Sequence, residues 1–222
     1  MIVMKDVGVS FQDRKTRRDV LKNLHGSFEQ NSGIIGILGQ KKSGKTTLLN
    51  LFAGNVSPES GQFIREGSVS WVLSSRRALV PTMNVRSNIR FVAMIYGVSV
   101  HDLIRDVCNL GELHDMLDAR VNTLPRDMQA RFVYCLSLCL RFDYYLADET
   151  LIIGDPSFRK KMADYLSATA SERTVILVSR SPAAVRLYCK RAYVLHEGRL
   201  HSYKEPAEAI KAFKVIDEAR QG

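Results

Sequence analysis

At 222 residues with 45% hydrophobic content, the chain is long enough to bury one core and carry a subdomain. No run approaches the ~18 apolar residues of a membrane span, and Met1 leads straight into strand-like Ile2-Val3-Met4, so neither a transmembrane helix nor a signal peptide is expected. The net charge of +9, from 32 basic and 23 acidic residues, suits phosphate, an acidic partner or a lipid surface; nucleic acid is not expected, because aromatics are not interleaved with the basic runs.

In chain order, residues 1–11 and 20–28 read as strands joined by a polar turn that carries the basic cluster Arg14-Lys15-Thr16-Arg17-Arg18. The apolar run 34–38 is a third strand. It is followed at once by Gly39-Gln40-Lys41-Lys42-Ser43-Gly44-Lys45-Thr46, which fits G-x-x-x-x-G-K-[ST], and then by a helix over 46–53. Strand, loop and helix are the context this motif needs. Loop N–H groups wrap phosphates, and the helix N-terminus, with Thr47 in its first turn, adds partial positive charge. Lys45 reaches the β- and γ-phosphates and the Thr46 hydroxyl ligates Mg²⁺, so ATP with Mg²⁺ is the expected ligand.

Residues 61–73 alternate and read as one extended segment. The stretch 85–140 is helical: Ile89, Val92, Ala93 and Tyr96 keep helical spacing, as do Met128, Phe132, Cys135, Leu136 and Cys139. A strand over 144–147 runs into Asp148-Glu149. That places Asp148 beside the metal and Glu149 near a water it can position or deprotonate for attack on the γ-phosphate. A helix over 156–168, a strand over 174–178, a short helix from Ser181, strands over 192–195 and 200–203 about Glu197-Gly198, and a closing helix to Ala219 complete the chain. The run Arg159-Lys160-Lys161 reads as solvated surface. Cys108, Cys135, Cys139 and Cys189 form no CxxC pair and read as buried, reduced thiols of a cytosolic chain. No repeat or linker is visible, so residues 1–222 read as a single α/β domain.

A phosphate loop followed some hundred residues later by an apolar strand ending in two acids, with a helical block between, resembles ABC transporter ATPases over nearly the whole chain. Within them the chain is similar to the bacterial capsular polysaccharide export branch, through 142–149, Gly154-Asp155, 158–161, Ser70-Trp71, Asn88-Ile89-Arg90-Phe91 and the 203–212 ending. The related O-antigen exporters carry a further C-terminal sugar-binding domain, and none is expected here. The resemblance implies a P-loop NTPase fold with a RecA-like core, an antiparallel β subdomain and a helical subdomain over about 85–140. It also implies a head-to-tail homodimer, or a heterodimer with another ABC ATPase, docked on membrane-spanning permease subunits at the inner face of the plasma membrane. Residues 76–96 would form the permease contact. Phe11 falls where the family stacks an aromatic on adenine, the alternative being an ordinary strand-end core residue. Asp155 falls in the loop that crosses the family's dimer interface.

The departures from the family cluster in the hydrolytic machinery. The signature position reads Leu124-Pro125-Arg126-Asp127-Met128. Pro125 offers neither N–H nor hydroxyl to an opposing γ-phosphate, and Asp127 brings like charge towards it. Arg126 is a candidate replacement donor, in the manner of an arginine finger. No glutamine lies between Gln62 and Gln129, so the phosphate-sensing position falls at Ser75 or Val80. Arg180 stands where the family has His, and can hold phosphate but not shuttle a proton. Lys42 stands where glycine is usual. Three functions remain open: an energising ATPase subunit of a polysaccharide exporter, a pseudo-ATPase that binds ATP to set conformation in the same kind of complex, and a soluble P-loop enzyme such as a kinase.

Overall fold

The structure is a computed structural model and describes residues 1–13, 16–73, 75, 79–149, 151 and 153–219. The chain divides into two compact units: Met1–Val72 with Phe142–Leu151 and Ala163–Gly222, and Leu73–Arg141 with Ile152–Met162.

The first unit holds two sheets. Strand β1 (Ile2–Asp13) pairs antiparallel with β2 (Thr16–Phe28) and β4 (Ser60–Arg65). The pairing of Asp13 with Thr16 takes Arg17 and Arg18 out of the expected basic turn and into β2, where Arg17 Nη2 lies 2.9 Å from Glu59 Oε2. Arg14 and Lys15 lie outside the described residues. The second sheet has the order β5-β6-β7-β3-β8-β9. Strands β5 (Val69–Val72), β6 (Tyr144–Asp148), β7 (Thr174–Ser179), β3 (Gly33–Gly39) and β8 (Arg191–His196) run parallel, and β9 (Arg199–Tyr203) closes an antiparallel hairpin. The segment 61–73, read as one extended stretch, is therefore two strands in two different sheets.

β3 and β7 are buried along their whole length, as continuous apolar runs in a two-sided parallel sheet must be. Helix α1 (Lys45–Ala53) buries Leu48, Leu49, Leu51 and Phe52. They join a core with Ile35, Ile37, Leu146, Ile176 and Val178. Phe28 of β2 locks the small sheet to this core, with its ring 5.2 Å from Phe52 and 5.1 Å from Tyr193. The Tyr144 hydroxyl donates to the Phe28 carbonyl at 2.9 Å, and burial pushes its pKa up to about 12. Helices α6 (Pro182–Tyr188) and α7 (Pro206–Glu218) complete this unit, with α5 (Pro156–Ala168) shared across the boundary in sequence.

The second unit is built from α2 (Val85–Tyr96), α3 (Val100–Gly111) and α4 (Arg126–Cys139) with the first turns of α5. Asn84 and Ser99 cap α2 and α3 by accepting from the backbone N–H of Ser87 and Asp102. Of the residues that keep helical spacing, Ile89, Val92 and Ala93 are buried and Tyr96 is 42% exposed. Cys108, Cys135 and Cys189 are buried free thiols and Cys139 is half-buried; burial pushes Cys189 up to about 12 and Cys135 higher still. Arg131 of α4 is buried between Glu112 (3.2 Å) and Asp155 (2.7 Å), with its guanidinium 4.1 Å over the Phe158 ring. It ties the loop before α5 to the helical unit. Arg131→Ala is expected to cost about 1–3 kcal/mol, since it strips a charge-assisted bond and the ring contact together; urea unfolding would measure this.

Candidate functional site

Three strand ends lie side by side because the order β6-β7-β3 is in register: Asp148 pairs with Val178, and Leu38 with Ser179. The motif loop leaves β3, Asp148-Glu149 leave β6 and Ser179-Arg180 leave β7, all at the C-terminal edge of a parallel sheet, where open α/β folds bind ligands.

The loop geometry demands its glycines. Gly44 has φ +104°, and a Cβ there would sit 2.9 Å from Leu21 Cδ2; a Cβ on Gly39 would meet Ser43 Oγ at 2.6 Å and the Leu195 carbonyl at 3.0 Å. Lys42 has φ +69°, a left-handed conformation that costs a lysine about 1 kcal/mol or more. Helix α1 starts at Lys45, one residue earlier than expected. Its N-terminus has no side-chain cap and no acid in its first turn, which leaves its N–H groups for an anion. Among the described residues the buried Ser43 Oγ has no hydrogen-bond partner, which leaves a loop donor available. Lys41, Lys42 and Thr46 are exposed and Thr47 is half-buried.

Lys45 is buried and its Nζ donates to the carbonyls of Gly39 and Gln40, both at 2.8 Å, with Glu149 Oε1 at 3.7 Å. Burial lowers its pKa, opposed by Glu149. Asp148 is raised, first by burial and then by the charge of Glu149, with Lys45 opposing. Glu149 has φ +60° and donates its N–H to the Val178 carbonyl at 2.7 Å. Its carboxylate accepts from Arg180 N–H at 2.9 Å and Arg180 Nε at 3.2 Å, and Ser179 Oγ lies 3.4 Å away. Thus Lys45, Asp148, Glu149 and Arg180, dispersed over 136 positions of sequence, form one charged cluster. These residues fit MgATP: an uncapped helix N-terminus and a half-buried acidic–basic set have their charges only partly balanced.

The remaining candidates fall as follows. Phe11 is 47% exposed on β1 opposite Arg18, so the core-residue alternative does not hold. Ser75 is half-buried, while Arg76 and Arg77 lie outside the described residues. In the second unit, Val80 is fixed through both backbone groups by the buried Asn88 amide, at 2.8 and 3.1 Å. Leu124 is buried and Met128 half-buried. Pro125 is the N-cap of α4 and makes no side-chain cap bond, with exposed Arg126 and Asp127 following. Asp155 Oδ1 accepts from Ser157 and Phe158 N–H, both at 3.0 Å, and Oδ2 from Arg131. The Ser157 hydroxyl bond leads the causes that hold its carboxyl at about 2. Both of its oxygens are therefore engaged within the chain.

Two contacts carry no sequence signal. Ser179 adds a hydroxyl beside Glu149 from the buried end of β7. The Gln40 amide donates to Asp217 Oδ1 at 2.9 Å and the Ile216 carbonyl at 3.2 Å, so the last turn of α7 is tied to the phosphate loop. A cleft of about 600 Å³ lies alongside, lined by Lys42, Ser43, His196, Glu197 and Val215.

The family profile described as ABC transporter matches residues 21–151. The chain is 35% identical to the ATP-binding protein BexA of Haemophilus influenzae, over 96% of this chain and 98% of that one. It is 33% identical to the capsule polysaccharide export ATP-binding protein CtrD of Neisseria meningitidis serogroup B, over 97% and 100%. It is 32% identical to a polysialic acid transport ATP-binding protein, KpsT, of Escherichia coli, over 96% and 99%. Among solved structures, the dimeric post-hydrolysis ATP-binding cassette MJ0796 bound to ADP and Pi shares the fold, with a TM-score of 0.78 over 91% of this chain and 98% of that one at 17% identity.

Two outcomes follow from this geometry. Lys42→Gly relieves the left-handed strain and is expected to stabilise the chain by up to about 1 kcal/mol, read calorimetrically as a Tm higher by about 2–4 °C. Because the folded pKa of Asp148 is raised, its contribution to stability is full below the unfolded value of about 3.9 and is lost as pH rises through the folded value. Asp148→Asn should therefore melt above wild type at pH 7, and the gap should close towards about pH 4.

Proposed function

Since this chain belongs to the ABC transporter family, we propose that it is the ATP-binding subunit of an exporter of capsular or other surface polysaccharide. The observation that carries this reading is the convergence of Lys45, Asp148 and Glu149 at one sheet edge beside an uncapped helix N-terminus. The near-full-length likeness to capsule export ATP-binding proteins supports the cargo class.

In this reading the loop from Gly39 to Thr47 holds the phosphates through backbone N–H groups, and Lys45 gives up its two carbonyl partners to neutralise phosphate charge. The Thr46 hydroxyl and Asp148 would hold Mg²⁺, which when bound offsets charge on the phosphate oxygens. Burial and the charge of Glu149 raise Asp148, and a divalent cation held there would offset that like charge. Phe11, exposed at the end of β1, is available to stack on the base. Glu149 accepts a proton from the attacking water.

The chain works as a dimer, with its own copy or with a second ABC ATPase, beneath membrane-spanning permease subunits on the cytoplasmic face. No described helix is long and apolar enough to cross a membrane, so the permease supplies the membrane path. The permease contact falls on α2, whose outer face leaves Phe91, Met94 and Ile95 exposed at 45%, 75% and 61%. Asp155, half of whose side chain stays exposed beside Arg131, falls at the interface of that dimer.

A second reading, ATP binding without useful turnover, is favoured by two observations: the Glu149 carboxylate is already engaged by Arg180, and Pro125 heads α4 with no donor. Losing a single transition-state donor costs ~10²–10³ in rate. A soluble kinase has no specific support.

Binding and turnover of the purified chain separate the two readings. Lys45→Ala should abolish ATP binding in calorimetric titration. In the energising reading, Glu149→Gln should keep binding and cut steady-state hydrolysis by about 10²–10⁴-fold. Tight binding with no hydrolysis, even beside the permease, is the result expected of the regulatory reading.

A further inference from the structure

Gln40 is the first residue after β3, and it is held through both its backbone and its side chain. Its carbonyl accepts from Lys45 Nζ at 2.8 Å and from the Ser43 N–H at 3.2 Å, the second bond closing the four-residue turn from Gln40 to Ser43. Lys42, with φ +69°, takes the left-handed third position of that turn. The Gln40 amide is buried and donates to Asp217 Oδ1 at 2.9 Å and to the Ile216 carbonyl at 3.2 Å.

The helix end that receives these bonds has little else to fix it. Ala209, Ile210 and Phe213 seat the body of α7 in the core, but Val215 is 61% exposed and a cleft of about 600 Å³ runs beside Val215, Ile216 and Ala219. The last turn carries Asp217 and Glu218 and no basic residue, the wrong sign for the negative end of a helix dipole. Ile216 is among the last four residues, whose carbonyls find no partner in the regular helix ladder. One amide thus serves both the carboxylate and the carbonyl that helix geometry leaves over.

We propose that Gln40 is a positioning residue whose bonds to the last turn of α7 preset the turn that wraps the phosphates, so that nucleotide in the loop and order at the end of α7 favour each other. This inference rests on the nucleotide-site reading above. When Lys45 turns to a phosphate, the Gln40 carbonyl loses its ammonium, and the side-chain tie still holds the head of the turn. The ligand then spends less of its binding free energy on ordering the loop. The coupling is reciprocal by linkage: a tie that favours binding is favoured by it. ATP and ADP both place phosphates in this loop, so the tie strengthens both by the same factor.

The test is calorimetric titration of the full purified chain with an imido-linked, non-hydrolysable ATP analogue and with ADP, both with Mg²⁺, beside hydrogen exchange of α7. Gln40→Ala is expected to weaken both nucleotides equally, on the order of fivefold. Asp217→Ala, which leaves the loop sequence intact, is expected to weaken both by less, since the Ile216 carbonyl remains. Gln40→Glu is expected to weaken both further, because two carboxylates then meet, and the combination of Gln40→Glu with Asp217→Asn, which exchanges donor and acceptor, to recover part of that loss. In wild type, bound nucleotide is expected to slow exchange of the backbone amides of 216–219 on the order of fivefold, and Gln40→Ala to remove that protection. Unchanged affinity in the alanine variants, weakening of one nucleotide alone, no recovery in the combined variant, or exchange at the end of α7 indifferent to nucleotide overturns the proposal. If wild type binds neither nucleotide, the nucleotide-site reading falls and this inference with it. If binding depends on Lys45 and is indifferent to Gln40 and Asp217, this inference alone falls.

Discussion

Everything at the site depends on the parallel register of β6, β7 and β3. Pairing Asp148 with Val178 and Ser179 with Leu38 ends three strands at one level, and the Glu149 N–H to Val178 carbonyl bond extends that pairing one residue beyond β6. The apolar content of these strands makes the register stiff: β3 and β7 are buried on both faces, and a slip of one residue would turn every side chain to the opposite face. The charged residues stand on the rim of that sheet, held by backbone geometry that the core enforces.

The rim itself is poorly satisfied as it stands. Lys45 spends its ammonium on two backbone carbonyls, Asp148 is held above its ordinary pKa by burial and a like charge, and Lys42 and Glu149 both occupy left-handed backbone. Two left-handed residues and a pair of like charges thus stand together at this rim. The like charge of Asp148 and Glu149 is the one of these that a divalent cation would offset. The Arg180–Glu149 pair is the exception, since it satisfies in advance the carboxylate that the chemistry would use.

The helical unit shows the other side of the same economy. Asp155 looks, by its place after the acidic strand, like a residue free to reach a second subunit. In the fold it caps α5 and pairs with Arg131, which the Phe158 ring covers from one side. Large apolar side chains of this unit are exposed on the outer face of α2. Periodicity could not separate that face from the core stripe, because Phe91, Met94, Ile95 and Tyr96 are apolar too. Helical spacing reports which residues share a face, not whether that face has a partner.

The sequence by itself determined the phosphate loop, the acidic strand end, the alternation of strands and helices, and the altered positions Pro125, Asp127 and Arg180. All of these are local: a glycine spacing, an apolar run, or a residue type that lacks a donor. Only the tertiary structure decided that Arg180 and Ser179 hold Glu149, that Gln40 is tied to Asp217, that Phe11 is exposed, and that residues 60–72 split between two sheets. Those facts depend on strand order and on contacts between residues 30 to 177 positions apart, which packing of the buried sheet brings together and no local pattern encodes.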